Sequence, residues 1–176
     1  TKGKNNYSSI VELEKNILSD HNIIDTSIVV QAPKDVMSCS YNNSAKNVRV
    51  SEVCDGILNR ARLDSFYDVD SWSHHTRNFD MSLGTRIHGS MLSLQFTQPS
   101  LLVTHDSRTE ELSNIMHIPR ITLNEALSCT SVYEMLENMV FDYTLYDERR
   151  SKMARMLYDI IKASGLKATP HIKNMI

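Results

Sequence analysis

The spacing of hydrophobic residues changes repeatedly along the chain, and each change marks a new element. Ile10, Leu13, Ile17 and Leu18 recur at helical spacing. The run Ser9-Ile10-Val11-Glu12 ahead of them reads as a capping box, so a helix is predicted from Ser9 to about Leu18, with residues 1–8 frayed. Thr26 to Gln31 is short and β-branched and reads as a buried strand. Residues 32–46 are rich in Asn and Ser and read as a loop; a helix near Ser51 to Arg62 and a strand near Phe66 to Val69 follow. Ser71 to Asn78 reads as a short helix leading into Phe79 to Leu83.

Beyond that point the alternation is plainer. Met91 to Phe96 is helical and Pro99 to Thr104 is a buried strand. Ser107-Arg108-Thr109-Glu110 is a second capping box, opening a helix to about Met116. Arg120 to Leu123 is a strand, and Val132, Met135, Leu136 and Met139 mark another helix. The last helix spans about Asp147 to Ser164, with Met153, Met156, Leu157, Ile160 and Ile161 as its apolar stripe and Gly165 at the position of a C′ glycine. Met135, Met139, Met153 and Met156 are expected to fill the core. Strands alternating with helices over short connections imply parallel strands joined by crossover helices, hence one three-layer α/β domain over residues 1–176.

Composition narrows the function classes. The formal net charge is −2, so nucleic acid is not an expected partner, and an anionic ligand must be met by a local cluster of positive groups. Cys39, Cys54 and Cys129 are odd in number and widely spaced, which argues against a disulfide framework or a structural zinc site and suits a reducing cytosol. No apolar run approaches the roughly 20 residues needed to cross a bilayer, and no signal peptide opens the chain.

Two of the five glycines fall in Gly84-Thr85-Arg86-Ile87-His88-Gly89, between a strand end and a helix start. In open α/β sheets ligands bind beyond the carboxyl ends of the strands, and the free amides of a helix N-terminus favour an anion. Gly84 would permit an unusual backbone angle or close ligand approach, and Gly89 close packing of the next helix. Arg86 supplies a permanent charge with fork geometry, and His88 a group that exchanges a proton near neutral pH. On the pattern alone, an Arg in a surface ion pair and a His capping a loop read equally well.

The run from Gly84 to Pro119 (GTRIHGSMLSLQFTQPSLLVTHDSRTEELSNIMHIP) resembles the C-terminal signature of the polysaccharide pyruvyltransferase family. It shows the R-x-H-G core, an apolar helix, a strand opened by Pro, an HDSRT turn and a helix ending near Ile-Pro; Asp80 to Leu83 matches the strand before the motif. The resemblance covers about a fifth of the chain. It implies a Rossmann-like domain with a mainly parallel sheet, the C-terminal half of a GT-B-like fold. The implied reaction moves the pyruvyl group of phosphoenolpyruvate onto sugar hydroxyls as a ketal, in exopolysaccharide or capsule assembly. Arg86 and His88 would bind the donor and assist proton transfer; Gly84, Gly89, Ser90, Arg108 and His105 are the remaining substrate-binding candidates. Phosphoenolpyruvate is the donor substrate and a sugar or lipid-linked oligosaccharide the acceptor, with neither cofactor nor metal. The expected location is the cytoplasm, extending to the inner face of the membrane.

Family members are longer and this chain opens without Met, so it is expected to be one domain of a longer enzyme, inactive without the N-terminal domain. The alternatives are a GT-B-type glycosyltransferase using a nucleotide sugar, or a non-catalytic domain that binds a glycan or anion. In His105-Asp106-Ser107-Arg108, Arg108 and the helix amides would meet a phosphate or sugar; locally, Asp106 or Ser107 would cap the helix and Arg108 face solvent. His74 and His75, near Asp68 and Asp70, are adjacent and point to different sides, so they read as exposed histidines and not as metal ligands. Trp72 reads as core or interdomain packing, and Lys34 and Arg49 as surface charges.

Overall fold

The central run Ser100–Thr104 is buried at every position, and Leu101, Leu102 and Val103 are wholly inaccessible to solvent. A strand covered on both faces reads as a continuous apolar run, and the layers around it follow from its alternation. In the computed structural model, which describes residues 2–20, 26–29 and 61–176, this strand is β4. It is paired in parallel with β3 (Ser82–Gly84) on one side and β5 (Arg120–Thr122) on the other. A second parallel pair joins β1 (Thr26–Val29) to β2 (Ala61–Asp64).

Helix α1 is Lys2–Ser19 and α2 is Val69–Thr76; α3 (Ile87–Gln95) links β3 to β4, and α4 (Ser107–Met116) links β4 to β5. Beyond β5 come α5 (Leu123–Ser128), α6 (Val132–Glu137), α7 (Tyr143–Ala163) and α8 (Pro170–Asn174). Leu101 and Val103 pack with Ile10 and Leu13 of α1, Leu123 and Ala126 of α5, and Met135 of α6. Leu102 faces the other way, onto Ile87 of α3 and Ile118, with Met91, Leu94, Leu112 and Met116 around them. The three-stranded sheet therefore carries helices on both faces, and the chain is α/β with parallel strands, as the alternating pattern predicts. Each of the fully buried leucine, isoleucine and valine side chains among these contributes roughly 1.5–3 kcal/mol of transfer free energy. Among the described residues no helix is long and apolar enough to cross a membrane.

Several element boundaries differ from the sequence reading. Helix α1 starts at Lys2, so residues 2–8 are helical and not frayed, and Ser9 is an interior position, not an N-cap. Burial of Ile10, Val11 and Leu13 holds this helix in place, a tertiary cause that no capping pattern reports. The strand expected near Phe66 to Val69 lies earlier, at Ala61–Asp64, and Val69 opens α2 behind Asp68, whose carboxylate accepts the Ser71 amide at 2.7 Å. The loop over 32–46, most of the helix near 51–62, Cys39, Cys54, Lys34 and Arg49 lie outside the described residues.

The box opening α4 is displaced by one residue: Asp106, not Ser107, is the N-cap, accepting the Thr109 amide at 2.7 Å. Helix α5 was not expected, although Thr122 and Glu125 form a full capping box of the same Thr-x-x-Glu type. The Gly165 expectation holds: it has φ 73°, its amide donates to Lys162 O and that of Leu166 to Ile161 O, closing α7. The methionines divide. Met135 is buried and Met139 packs against the core, whereas Met153 and Met156 are exposed on α7 and do not fill it.

Candidate active site

Helix α3 buries Ile87 and Ser90 on its inner side, with Met91 and Leu94 packed on the same cluster at helical spacing. That spacing leaves His88 on the outside, and Arg86, just before the first helical residue, is also exposed. The two candidates thus flank a buried Ile87 and are both exposed at the start of α3, at the carboxyl edge of a parallel sheet. Thr85, the residue joining strand to cap, is buried and anchors the turn from below.

The cap itself is unusual in its chemistry. Arg86 has extended φ −112° and ψ 118° and makes no side-chain capping bond. A guanidinium has only donors, so it cannot accept the first-turn amides, and its positive charge lies at the positive end of the helix dipole. The other described N-caps of helices longer than seven residues are Asp68, Asp106 and Asp142, each accepting an amide through its carboxylate. An anion beside α3 would be met by both backbone and side-chain donors.

Gly84 has no positive φ, so the expectation of an unusual backbone angle is corrected; a Cβ there would meet nothing within 4 Å. Open space over its backbone remains compatible with close approach of a ligand. Gly89 lies in the first turn, its amide donating to Arg86 O at 3.2 Å. Ser90 is only 3% exposed and is turned into the protein, so it does not join the exposed pair. The reason is periodicity: position 90 is one turn from Ile87 on the buried side.

The neighbouring strand end is organised differently. Gly84 is level with Leu102 and Thr104 with Thr122, so β4 and β5 run two residues past β3, roughly 7 Å at strand rise. His105 follows β4, its Nε2 3.7 Å from Asp106 Oδ2. Asp106 and Thr109 form a reciprocal capping box, and hydrogen bonds from the Thr109 hydroxyl and amide, with weaker help from the charges of His105 and Arg108, hold the Asp106 carboxyl below its ordinary range. An internal carboxylate thus caps the N-terminus of α4 at the Thr109 amide, in line with the local of the two readings, in which Asp106 caps the helix. Arg108 is exposed on the first turn of α4. No family model matches the chain, and no curated protein or solved structure is significantly similar to it.

A second polar cluster was not foreseen. Ser27 Oγ donates to Asp64 Oδ2 at 2.6 Å, and His75 Nε2 lies 2.9 Å from Ser27 Oγ and 3.4 Å from the same carboxylate oxygen. His75, expected to be exposed, is mostly buried between Phe66 and Phe79, while His74 is exposed as expected. The three residue types match a hydrolase triad, but the order of the bonds does not. In a triad the serine and the carboxylate sit at opposite ring nitrogens, whereas here Ser27 and Asp64 both lie at Nε2 and bond each other directly. The cluster ties α2 to the β1–β2 pair. Nothing local could have announced it, since Ser27 is separated from Asp64 by 37 residues and from His75 by 48. Trp72 stacks on Phe66 with ring centroids 6.4 Å apart, in the packing role expected of it. Asp68 is occupied as the α2 cap, and among the described residues no three His, Cys, Asp or Glu gather to hold a metal.

Proposed function

We propose that this chain is the C-terminal, Rossmann-like domain of a polysaccharide pyruvyltransferase of GT-B-like architecture, and that Arg86 and His88 handle its phosphoenolpyruvate. The observation that carries the reading is the start of α3, where a cation that cannot cap, an exposed histidine two residues on and open space over Gly84 share one strand-to-helix turn. Phosphoenolpyruvate brings a phosphate and a carboxylate, both suited to a guanidinium fork and helix amides. Ketal formation starts by protonating the enol methylene, which makes the adjacent carbon cationic. One sugar hydroxyl adds there, phosphate departs, and a second hydroxyl closes the ketal. His88 is the general acid for the first step, a role imidazole fills near neutral pH. Arg86 holds the anionic groups, and Arg108 and His105, one strand over, line the same edge. The other domain of the enzyme completes the cleft and contributes to the sugar or lipid-linked acceptor site, in the cytoplasm.

Calorimetric titration with phosphoenolpyruvate tests the reading. The chain is expected to bind the donor saturably, the Arg86→Ala variant to lose that binding, and a nucleotide sugar to give none. Binding of the nucleotide sugar alone, or phosphoenolpyruvate affinity indifferent to Arg86, would transfer the site to a glycosyltransferase or to another surface.

A further inference from the structure

Helix α7 is twenty-one residues long, about 30 Å, yet Ala154 is its only buried residue. Six of the exposed large hydrophobics among the described residues sit on it, including Met153, Met156, Leu157 and Ile160, the last two methionine and isoleucine positions being 57% and 62% exposed. At about 100° per residue these four fall within an arc of roughly 100°. Ala154 lies to one side of that arc. Arg150 and Lys152 border the stripe on its two sides. From Tyr143 to the last residue there are seven Lys and Arg against three Asp and Glu, in a chain whose net charge is −2. The positive excess is thus concentrated on the segment that carries the exposed apolar stripe.

We infer that this face of α7 docks on an anionic lipid surface, with the stripe in the headgroup boundary and the basic residues against lipid phosphates. An amphipathic helix with an apolar stripe, cationic borders and low overall hydrophobicity has the chemistry of interfacial binding. Pairing with a second copy fits less well. The apolar run between Met153 and Ile160 is about one heptad, where a stable helix pair needs three or four. The stripe lies outside the proposed donor site, so this inference stands or falls independently of that reading.

Vesicle co-sedimentation of the full 176-residue chain tests it, with phosphatidylcholine alone and with phosphatidylcholine mixed with phosphatidylglycerol. Binding is expected only to the mixed vesicles and should weaken as salt is raised. It should fall at least tenfold in Ile160→Glu and Met156→Glu, and about fivefold for each of Arg150→Gln and Lys152→Gln. Both apolar positions are exposed, so circular dichroism of these variants should match the parent, and phosphoenolpyruvate titration of Ile160→Glu should be unchanged. Equal binding to neutral vesicles, none to either, or binding indifferent to Ile160→Glu would overturn the inference. So would a dimer in sedimentation velocity that Ile160→Glu dissolves, which would assign the stripe to a second copy.

Discussion

Replacing Arg86 by Asp sets stability and ligand binding against each other at one position. The backbone there, φ −112° and ψ 118°, is close to that of Asp142, φ −131° and ψ 110°, whose carboxylate accepts the Leu145 amide at 3.1 Å. An aspartate at 86 would reach the Gly89 amide with the same three-residue spacing, sharing it with the carbonyl of residue 86 to which it already donates. A side-chain cap is worth roughly 0.5–2 kcal/mol over none, and exchanging a cation for an anion at the positive end of a helix adds roughly 0.3–1 kcal/mol. Arg86 is exposed and makes no capping bond, so little is lost in exchange. Arg86→Asp is therefore expected to be more stable than the parent by about 1 kcal/mol or more, with Tm raised roughly 2–4 °C per kcal/mol at this chain length. It should also lose phosphoenolpyruvate binding altogether. Urea melts of the parent, Arg86→Ala and Arg86→Asp, each with and without phosphoenolpyruvate, measure both effects; the Ala variant should sit near the parent in stability and show no stabilisation by ligand. A destabilised Arg86→Asp would mean that Arg86 holds the fold together. A stabilised variant still protected by phosphoenolpyruvate would remove Arg86 from the donor site.

Other expectations follow from single positions. Thr97 sits after α3 with φ 61°, a left-handed conformation costing a β-branched residue roughly 1–2 kcal/mol, so Thr97→Gly should gain about 0.5–1 kcal/mol after the entropy of glycine is offset, read as a shift in the denaturation midpoint at constant m. Asp106→Ala should cost about 1 kcal/mol at neutral pH through loss of the α4 cap. Because the Asp106 carboxyl is depressed in the folded state, its contribution is complete above the ordinary carboxylate pKa and fades as pH falls through the lower folded value; the gap between parent and variant should narrow progressively in melts taken below the ordinary carboxylate range, and a gap constant with pH would contradict this account. Gly84→Ala should leave the melting curve almost unchanged, since its Cβ meets nothing within 4 Å, while weakening phosphoenolpyruvate binding in titration; unchanged affinity would show that no ligand approaches this backbone.

What could be read from the chain directly was local. The buried run at Ser100–Thr104, the helical stripes, the closing glycine at 165 and the Arg-x-His turn are each encoded within a few residues, where backbone periodicity and capping chemistry act. The alternating order of those pieces was enough for a parallel α/β layer arrangement. Even the α5 box is legible in Thr122 and Glu125, although the strand pattern of residues 120–123 overlaps the helix start.

Tertiary packing decided the rest. Periodicity says that a helix has an apolar stripe but not whether anything covers it, so Met135 and Met156 looked alike in sequence and end at 2% and 57% exposure. It likewise separates inner from outer positions only once one anchor is known: burial of Ile87 is what turns Ser90 inward and leaves Arg86 and His88 outside. The Ser27–Asp64–His75 cluster joins two strands and a helix through side chains far apart in the chain, and its hydrogen-bond order follows from where three backbones meet. Sequence set which groups were present and their local geometry; only the fold set which were covered, because burial is a property of neighbours brought together by the whole chain.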